Sequence, residues 1–367
     1  MVKVIPSPRS LDLEITSRCN ARCRYCYYLN NEGVAYEDLP TQRWLDLFDE
    51  AGRAKVMNVC LAGGEPLIRP DFWELIDGIV RNRMRFQILT NGFFVTPEVA
   101  QRLKETHRLA SIQVSLDGSQ PEPHEAMRGK GTWEPAVKAI KILHGAGLPT
   151  TVRVTIHGQN VDDLPNVARL LLEEIGLPSF STNAVSSLGT NAKYGEAAFL
   201  TPAKRLQAMK VMAELDVKYP GRLQAAAGPL AEWKGFHEME EARRNGTPIP
   251  GRGNLVGCGC IFERMAVRAD GAYVPCVMLP QYVLGYVGRD SLVEVWQNSA
   301  LFNRVRDRIH IGLDSFDHCQ GCGYIESCTG NCAGNALSMT GDANQPSPEA
   351  CLRRFQQELA AEGLSLW

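Results

Sequence analysis

Apolar runs alternate with amphipathic stretches over the first half of the chain. Six runs have the length of β-strands, at residues 11–15, 56–61, 85–90, 111–116, 151–156 and 180–186. Four stretches between them carry apolar residues at helical spacing, at 72–83, 97–105, 133–144 and 164–174. Strands that alternate with helices in this way predict a parallel sheet or barrel, with the carboxyl ends of the strands along one rim.

The pattern changes beyond residue 188. Residues 201–219 and 229–245 predict two helices, which end in a loop rich in glycine and proline at 246–251. From residue 254 onward, eight cysteines stand among short turns and glycines, where thiolate–metal bonds must supply much of the local stability. The chain therefore predicts an α/β fold in three parts: a partial (β/α)6 barrel over 1–188, a helical bridge over 189–253 and a cysteine-rich domain over 254–367.

Composition narrows the choice of compartment and partner. The 367 residues are 44% apolar and carry a net charge of -2, which gives no electrostatic footprint for nucleic acid or an anionic membrane. No apolar stretch approaches the ~20 residues that a membrane-spanning helix needs, and residues 1–10 do not resemble a signal peptide. We therefore expect a cytoplasmic protein without nucleic-acid or membrane partners. Its content of twelve cysteines indicates metal binding rather than disulfides.

Three cysteines follow the first predicted strand with the spacing C-x3-C-x2-C, at Cys19, Cys23 and Cys26. They can hold three irons of a four-iron cluster, whereas a cluster that only transfers electrons normally takes four thiolates. The alternatives are a zinc knuckle and buried thiols without metal. A zinc knuckle needs a fourth nearby Cys or His, and none lies between Cys26 and Cys60. The spacing therefore predicts a catalytic cluster whose fourth iron stays open for a small-molecule ligand.

This spacing resembles the signature of the radical S-adenosylmethionine (SAM) enzymes, and Tyr25 occupies the aromatic position usual before the last cysteine. The resemblance implies that an electron from an external donor reaches the cluster. Bound SAM is then cleaved to methionine and a 5′-deoxyadenosyl radical, which removes a hydrogen atom from the substrate.

A glycine-rich turn follows the second predicted strand, at Gly63, Gly64, Glu65 and Pro66. Glycines let the backbone approach a ligand closely, and a carboxylate accepts hydrogen bonds from an ammonium group. In the radical SAM family, a GGEP turn at this place contacts the amino group of SAM. The alternative is an ordinary tight turn between a strand and a helix.

Polar residues at later strand ends extend the expected SAM site. By the same resemblance we assign SAM contacts to Asn91, Ser115, Asp117 and Arg153. Ser115 and Asp117 would reach the ribose hydroxyls or nearby groups, and Arg153 would approach the SAM carboxylate. Strand-end capping or a surface ion pair is the alternative for each of them.

The C-terminal cysteines resemble the SPASM domain, which is found on radical SAM enzymes that modify peptides and holds two auxiliary 4Fe–4S clusters. The resemblance implies three clusters in all. It places Cys258, Cys276 and Cys332 at the first auxiliary cluster. It places the following residues around the second: Cys319, Cys322, Cys328 and Cys351. The alternative is a zinc ribbon, in which Cys319 and Cys322 bind one zinc ion together with Cys328 and Cys332.

Two cysteines need separate treatment. Cys260 either completes the first auxiliary cluster or leaves one of its irons open to water or substrate. Cys260 and Cys258 are closer in sequence than the corresponding residues usual in the family. The family more usually has a glycine at the position of Cys260. Cys60 lies in an apolar run before the glycine turn, and we interpret it as a small buried hydrophobic residue.

Several segments of the chain resemble the SynChlorMet-cassette branch of radical SAM/SPASM peptide maturases, at 11–17, 81–86, 228–232, 266–271 and 328–332. That branch includes the spliceases, which excise the tyramine part of a tyrosine from a ribosomal precursor peptide and leave an α-keto-β-amino amide. The alternatives are crosslinking through thioether or carbon–carbon bonds, epimerisation, and formylglycine formation in a sulfatase. A non-catalytic iron–sulfur electron carrier is a further alternative, although a carrier needs no SAM pocket.

The resemblance also implies partners. Peptide maturases commonly hold the leader of their precursor peptide with a separate recognition domain, and only about ten residues precede the first predicted strand here. We therefore expect a small leader-recognition or accessory protein that acts in trans.

Overall fold

The computed structural model describes residues 4–28, 36–186, 188, 199–256 and 258–367, with only the backbone of Cys260. Its strands, in chain order, are β1 Ser10–Thr16, β2 Asn58–Gly63, β3 Arg85–Thr90, β4 Leu109–Ser115, β5 Thr150–Ile156, β6 Phe180–Ala184, β7 Leu223–Ala225, β8 Arg264–Val267, β9 Ala272–Val274 and β10 Gly285–Tyr286. Over the described residues these ten strands form one sheet in the order β10-β9-β8-β1-β2-β3-β4-β5-β6-β7.

The neighbouring strands from β1 to β7 pair in parallel. On the other side of β1, β8 also pairs in parallel, and β9 and β10 then continue the sheet as antiparallel strands. The cysteine-rich region is therefore joined to the barrel by main-chain hydrogen bonds. The predicted α/β class with a parallel sheet is confirmed.

The helices are α1 Thr41–Arg53, α2 Phe72–Arg81, α3 Pro97–Glu105, α4 Pro121–Arg128, α5 Trp133–Gly145, α6 Leu164–Arg169, α7 Pro202–Lys218, α8 Pro229–Asn245, α9 Cys260–Glu263, α10 Leu292–Asn298, α11 Ala300–Arg306, α12 Ala333–Thr340 and α13 Leu352–Ala361. Two of them begin at a sequence-readable cap, because the hydroxyls of Thr96 and Thr201 accept from the third following amide and proline stands at the first helical position. No helix in the described part of the chain is long and apolar enough to span a bilayer.

The two faces of the barrel sheet differ in polarity. On β1, Leu11, Leu13 and Ile15 are fully buried in the main hydrophobic core. Alternation of side chains along a strand places Asp12 and Glu14 on the opposite face. The barrel interior therefore offers polar groups to a ligand, while the outer face packs against helices.

The structure differs from the predicted elements most clearly at three places. The second strand was predicted at 56–61 but runs from Asn58 to Gly63, because the first glycine of the turn still pairs with Thr16. Helix α1 was missed, although its buried residues have helical spacing: Trp44, Leu47, Phe48 and Ala51. The region predicted as an all-helical bridge contains β7, which extends the sheet beside β6; residues 189–198 of that region lie outside the described part of the chain.

Candidate cluster and SAM site

The carboxyl ends of the barrel strands bring the predicted site residues together along one rim. The loop with Cys19, Cys23 and Cys26 follows β1, and the glycine turn ends β2. Asn91 follows β3, and Ser115 ends β4. Arg153 lies within β5 and pairs with Ser115 in the strand register.

The three cysteines of the first loop lie near one another. Burial raises the pKa of Cys19 to about 11, and the nearby charges of Glu65 and Cys26 add to this rise. Burial also raises the pKa of Cys23 to about 12, with contributions from Cys26 and Cys19. A bound iron would favour the thiolate forms that burial disfavours, so this donor set fits an iron–sulfur cluster.

The glycine turn packs directly against the cysteine loop. The amides of Gly64 and Glu65 donate to the carbonyls of Thr16 and Arg18, each at 2.8 Å. A Cβ atom would lie 2.2 Å from Thr16 O at Gly63, which has a φ of 125°, and 2.0 Å from Arg18 O at Gly64. Both glycines are therefore required by the close approach of two backbones, whatever ligand binds there.

Glu65 is fully buried at the rim. Its Oε1 accepts from the amide of Leu67 at 3.2 Å and the hydroxyl of Thr90 at 2.8 Å, and its Oε2 accepts from the amide of Asn91 at 2.8 Å. Burial raises the pKa of Glu65 to about 7, although these donors oppose the rise. Pro66 is buried and begins a short 3-10 turn that fixes this geometry.

Asn91 and Arg153 face the site from different strands. Asn91 Nδ2 donates to Asn20 Oδ1 at 2.8 Å and lies 4.0 Å from Cys19 Sγ. Arg153 Nε donates to Gln113 Oε1 at 3.2 Å, and burial lowers its pKa. No carboxylate among the described residues pairs with Arg153, so its charge can bind the carboxylate of a ligand.

Asp117 is fully buried, and both of its oxygens are already engaged. Oδ2 accepts from Arg128 Nε at 2.6 Å and from the hydroxyl of Tyr25, while Oδ1 accepts from Arg128 Nη2 at 3.2 Å and the amide of Thr155 at 2.9 Å. Burial favours the neutral acid, but the Arg128 charge outweighs it and holds the pKa of Asp117 below its usual range. A ribose hydroxyl would have to share or displace one of these donors, so a contact of Asp117 with SAM stays a prediction.

Sequence reasoning missed Arg128 as a site residue. Its guanidinium carbon lies 5.4 Å from the centre of the Tyr25 ring, and the amide of Arg24 donates to the carbonyl of Met127 at 2.8 Å. The end of α4 is therefore tied to the cysteine loop. A signal for Arg128 was present in the sequence, because His124 stands four residues earlier on the same face of α4. His124 reaches the same aspartate, since its Nδ1 accepts from the amide of Asp117 at 3.1 Å.

The C-terminal cysteines form two groups. Burial raises the pKa of Cys328, and the nearby thiols of Cys351 and Cys322 add to this rise. Burial also raises the pKa of Cys319, and Cys328, Cys351 and Cys322 add to that rise. These four residues form the second auxiliary group. The first auxiliary group is formed by the following residues: Cys332, Cys276 and Cys258. Residue 260 begins α9, but its side chain lies outside the described residues, so its place in either group stays open.

The described cysteines form no disulfide. Within the described residues, no three Cys, His, Asp or Glu side chains lie close enough to share a single metal ion. A four-iron cube spreads its thiolates over different metal atoms, so its ligands lie further apart than those of one zinc ion. Cys60 lies apart from both C-terminal groups on β2, where burial raises its pKa to about 12 and its charged neighbours are Asp12 and Arg264.

Comparison with known proteins agrees with this arrangement. A radical SAM superfamily model matches residues 13–171, and a SPASM iron–sulfur cluster-binding domain model matches residues 258–332. The chain is 29% identical over 361 residues to the mycofactocin maturase MftC of Mycobacterium tuberculosis, across 98% of this chain and 86% of that protein. It is 26% identical over 364 residues to an AdoMet-dependent heme synthase of Methanosarcina barkeri, across 96% and 99%.

The fold is similar to that of Streptococcus suis SuiB, solved with the precursor peptide SuiA. The TM-score is 0.71 with 16% sequence identity, over 95% of this chain and 77% of that chain. The two domain matches include the cysteines that the structure gathers at the rim and most of those in the C-terminal region. The chain is therefore a radical SAM enzyme with a C-terminal SPASM domain.

Proposed function

We propose that this enzyme modifies a ribosomally made precursor peptide, and that it excises the tyramine part of a tyrosine to leave an α-keto-β-amino amide. The similarity to a mycofactocin maturase and to the fold of SuiB supports a peptide substrate. The resemblance of several segments to the SynChlorMet-cassette branch supports splicing. A small accessory protein and an external electron donor belong to the same proposal.

One observation supports a substrate site that lies between the barrel strands and the C-terminal cysteines. Glu14 Oε1 and the hydroxyl of Tyr28 are buried without a hydrogen-bond partner in the described structure. Burial raises the pKa of Tyr28, and the nearby charge of Glu14 adds to it. Burial also raises the pKa of Glu14, and Cys276 contributes. Buried polar atoms normally have partners, and a peptide amide offers both a donor and an acceptor.

The residues at the rim have separate roles in this proposal. Cys19, Cys23 and Cys26 would hold a cluster that, when bound, supplies the electron for reductive cleavage of SAM. Glu65 would accept from the SAM ammonium, and Arg153 would bind the SAM carboxylate. The glycine turn, Asn91 and Ser115 would line the same site. The ion pair of Asp117 with Arg128 would hold Tyr25 in position.

The C-terminal cysteines complete the proposed cofactor set. The group around Cys328 would hold one auxiliary 4Fe–4S cluster, and the group around Cys332 would hold the other, with Cys260 as its fourth ligand. Replacement of Cys260 by alanine should then change the signal of one auxiliary cluster in electron paramagnetic resonance. Identical signals and iron content with and without Cys260 would show that it is not a ligand.

Splicing can be tested by co-expression with a short precursor peptide encoded beside the enzyme, together with any small neighbouring protein. Tandem mass spectrometry of the peptide should show loss of the tyramine part at one tyrosine. A loss of two hydrogen atoms would indicate crosslinking, and an unchanged mass with a D-residue would indicate epimerisation. Cys23→Ala is the control, and its peptide should remain unmodified.

The similarity to a heme synthase is a specific reason to test a second substrate class. Hemin is a suitable probe, because binding of an iron tetrapyrrole near protein side chains changes its visible absorption. Under the peptide proposal, equimolar hemin should not bind specifically to the reconstituted enzyme. Stoichiometric hemin binding that Glu14→Leu abolishes would favour the tetrapyrrole class instead.

A further inference from the structure

The buried arginines of this protein differ in whether a carboxylate pairs with them. Five arginines in the described part of the chain are at most 9% exposed: Arg69, Arg128, Arg268, Arg306 and Arg308. The first three pair with carboxylates, on Asp71 at 2.6 Å, Asp117 at 2.6 Å and Asp270 at 2.5 Å. Arg306 is only 1% exposed, and no described carboxylate lies within ion-pair distance of it.

Among the described residues, the hydrogen-bond partners of Arg306 are all neutral groups. Its Nε donates to Ile261 O at 3.0 Å, and its Nη1 donates to Trp296 O at 2.6 Å and Asn303 Oδ1 at 3.1 Å. The guanidinium lies over the rings of Phe302 and Trp296, at 3.7 and 4.2 Å from their centres. Its Nη2 is buried without a partner, and burial lowers the pKa of Arg306 to about 10.

The position of Arg306 links it to the first auxiliary group of cysteines. Its Nε contact is to the residue after Cys260, at the start of α9. Two residues further along the same segment, Arg308 is equally buried and donates its Nη1 to Asn331 O at 3.1 Å, next to Cys332. One segment therefore carries two cations, and each contacts a different stretch of chain that holds a cysteine of this group.

A buried charge is costly unless an opposite charge compensates it. A 4Fe–4S cluster with four thiolates carries net negative charge, and nearby charge is one of the factors that set its reduction potential. We infer that Arg306 is the buried counter-charge of the first auxiliary cluster and raises the reduction potential of that cluster. This inference rests on the proposed function, because the cluster itself is part of that proposal.

A purely structural role for Arg306 makes a different prediction. The carbonyl of Trp296 lies near the end of α10, where a donor satisfies a free helix carbonyl. A cap of that kind stabilises the helix whether or not a cluster is present, and it leaves the reduction potential of a cluster unchanged. The potential therefore distinguishes a counter-charge from a cap.

The test uses protein in which Cys19, Cys23 and Cys26 are all replaced by alanine, so that only the auxiliary clusters remain. After anaerobic reconstitution, each auxiliary signal is titrated against potential by electron paramagnetic resonance. Arg306→Met should move one of the two signals to a more negative potential, and the other should stay in place. Arg306→Lys keeps the charge and should hold the first signal closer to its original potential.

Arg205 offers a matched control. It stacks on Phe355 at 4.4 Å as Arg306 stacks on Phe302, but it pairs with Glu232 at 2.9 Å. Arg205→Met should therefore leave the potential of the first auxiliary cluster unchanged. The inference is overturned if Arg306→Met keeps its iron and moves neither potential, or if Arg205→Met moves the same signal equally.

Iron content separates this inference from the function on which it rests. The background protein should retain ~8 irons per chain, and a value well below that overturns the auxiliary clusters themselves. If Arg306→Met alone loses iron, Arg306→Gln and Arg306→Lys are compared instead. A higher potential in the lysine variant supports the counter-charge, and equal potentials overturn it.

Discussion

The two cysteine regions of this chain are held in place by different means. The N-terminal loop follows a central strand and is fixed by main-chain hydrogen bonds from the glycine turn and by the buried Asp117–Arg128 pair. Around the second auxiliary group, Cys319 ends a three-residue 3-10 turn, and Cys328 directly follows another. We therefore expect the barrel to shape its cluster site before metal binds, and the C-terminal turns to depend on metal for their stability.

The two cysteine regions also differ in the hydrophobic core that lies beside them. The main core includes residues from all of the central barrel strands. Beside the second auxiliary group there is a smaller core built from α7, α8 and α13, with Phe236 and Phe355 at its centre. That smaller core anchors the helices that flank the cysteine turns, but the turns themselves contribute little buried surface to it.

The largest expected effect is the loss of SAM cleavage when the N-terminal site loses one thiolate. Cys23→Ala should abolish formation of 5′-deoxyadenosine, because a cluster with an open iron needs all three cysteines. Anaerobic incubation with dithionite and SAM, followed by chromatography, measures the product. Cys60→Ala, which changes a cysteine outside the predicted ligand sets, should retain cleavage. Equal product from wild type and Cys23→Ala would refute the site.

Metal removal should separate the two regions. Reconstituted enzyme should contain ~12 irons per chain, and replacement of the three N-terminal cysteines should remove about a third. Stripped of iron by a chelator, the chain should be cleaved by protease first within residues 313–332, while the barrel resists, because only the former depends on metal–thiolate bonds. Peptide mapping locates the cuts. Equal protection of both regions would contradict the comparison.

Replacement of Gly64 by alanine adds one methyl group, which should disturb the barrel site and leave the C-terminal cluster sites unchanged. Gly64→Ala places a Cβ 2.0 Å from Arg18 O, so the cysteine loop must shift. We expect a loss of more than about 1 kcal/mol in folding stability and reduced iron at the first cluster only. Gly145→Ala is the control, because it ends a helix with open space around it and should be neutral or stabilising. Denaturant unfolding and iron analysis give both readouts.

The smallest effect concerns pH. Burial raises the pKa of Glu65 to about 7, and its ionised form binds the SAM ammonium much more strongly than the neutral acid does. At lower pH the carboxyl takes up a proton, so SAM should bind about fivefold more weakly at pH 6 than at pH 7. The SAM amino group is more fully protonated at pH 6, so any weakening there comes from the protein. Calorimetric affinities measure the effect, and Glu65→Gln should remove the pH dependence between these values.

Much of the fold could be predicted because its signals are local. The spacing of apolar residues within a segment can be read without knowledge of its tertiary contacts. For this reason β3 and α3 were predicted at their observed bounds. The short strand β7 carries too few residues to show a period, and it was hidden in a region that otherwise reads as helical. Its strand state depends on pairing with β6, which no local pattern announces.

The candidate site shows the same division. The spacing of Cys19, Cys23 and Cys26 was informative by itself, because a cluster imposes its own geometry on a short loop. The glycine turn was predicted for its approach to a ligand, but the structure gives it a second partner, the backbone at Thr16 and Arg18. Asp117 was predicted to contact SAM from beyond the end of β4, and the structure shows that both of its oxygens accept from other protein groups.

The sequence alone determined the barrel strands, most of the barrel helices and the order of the two domains, and it supplied the predicted iron ligands. Those properties depend on periodicity and on residue chemistry within short stretches. Only the tertiary structure decided that Arg128 reaches Asp117 and that β8 joins the sheet beside β1. It also decided that Arg306 is buried with no described carboxylate beside it. These depend on which distant segments pack together, because burial and pairing set the cost and the effect of a charge only after the chain has folded.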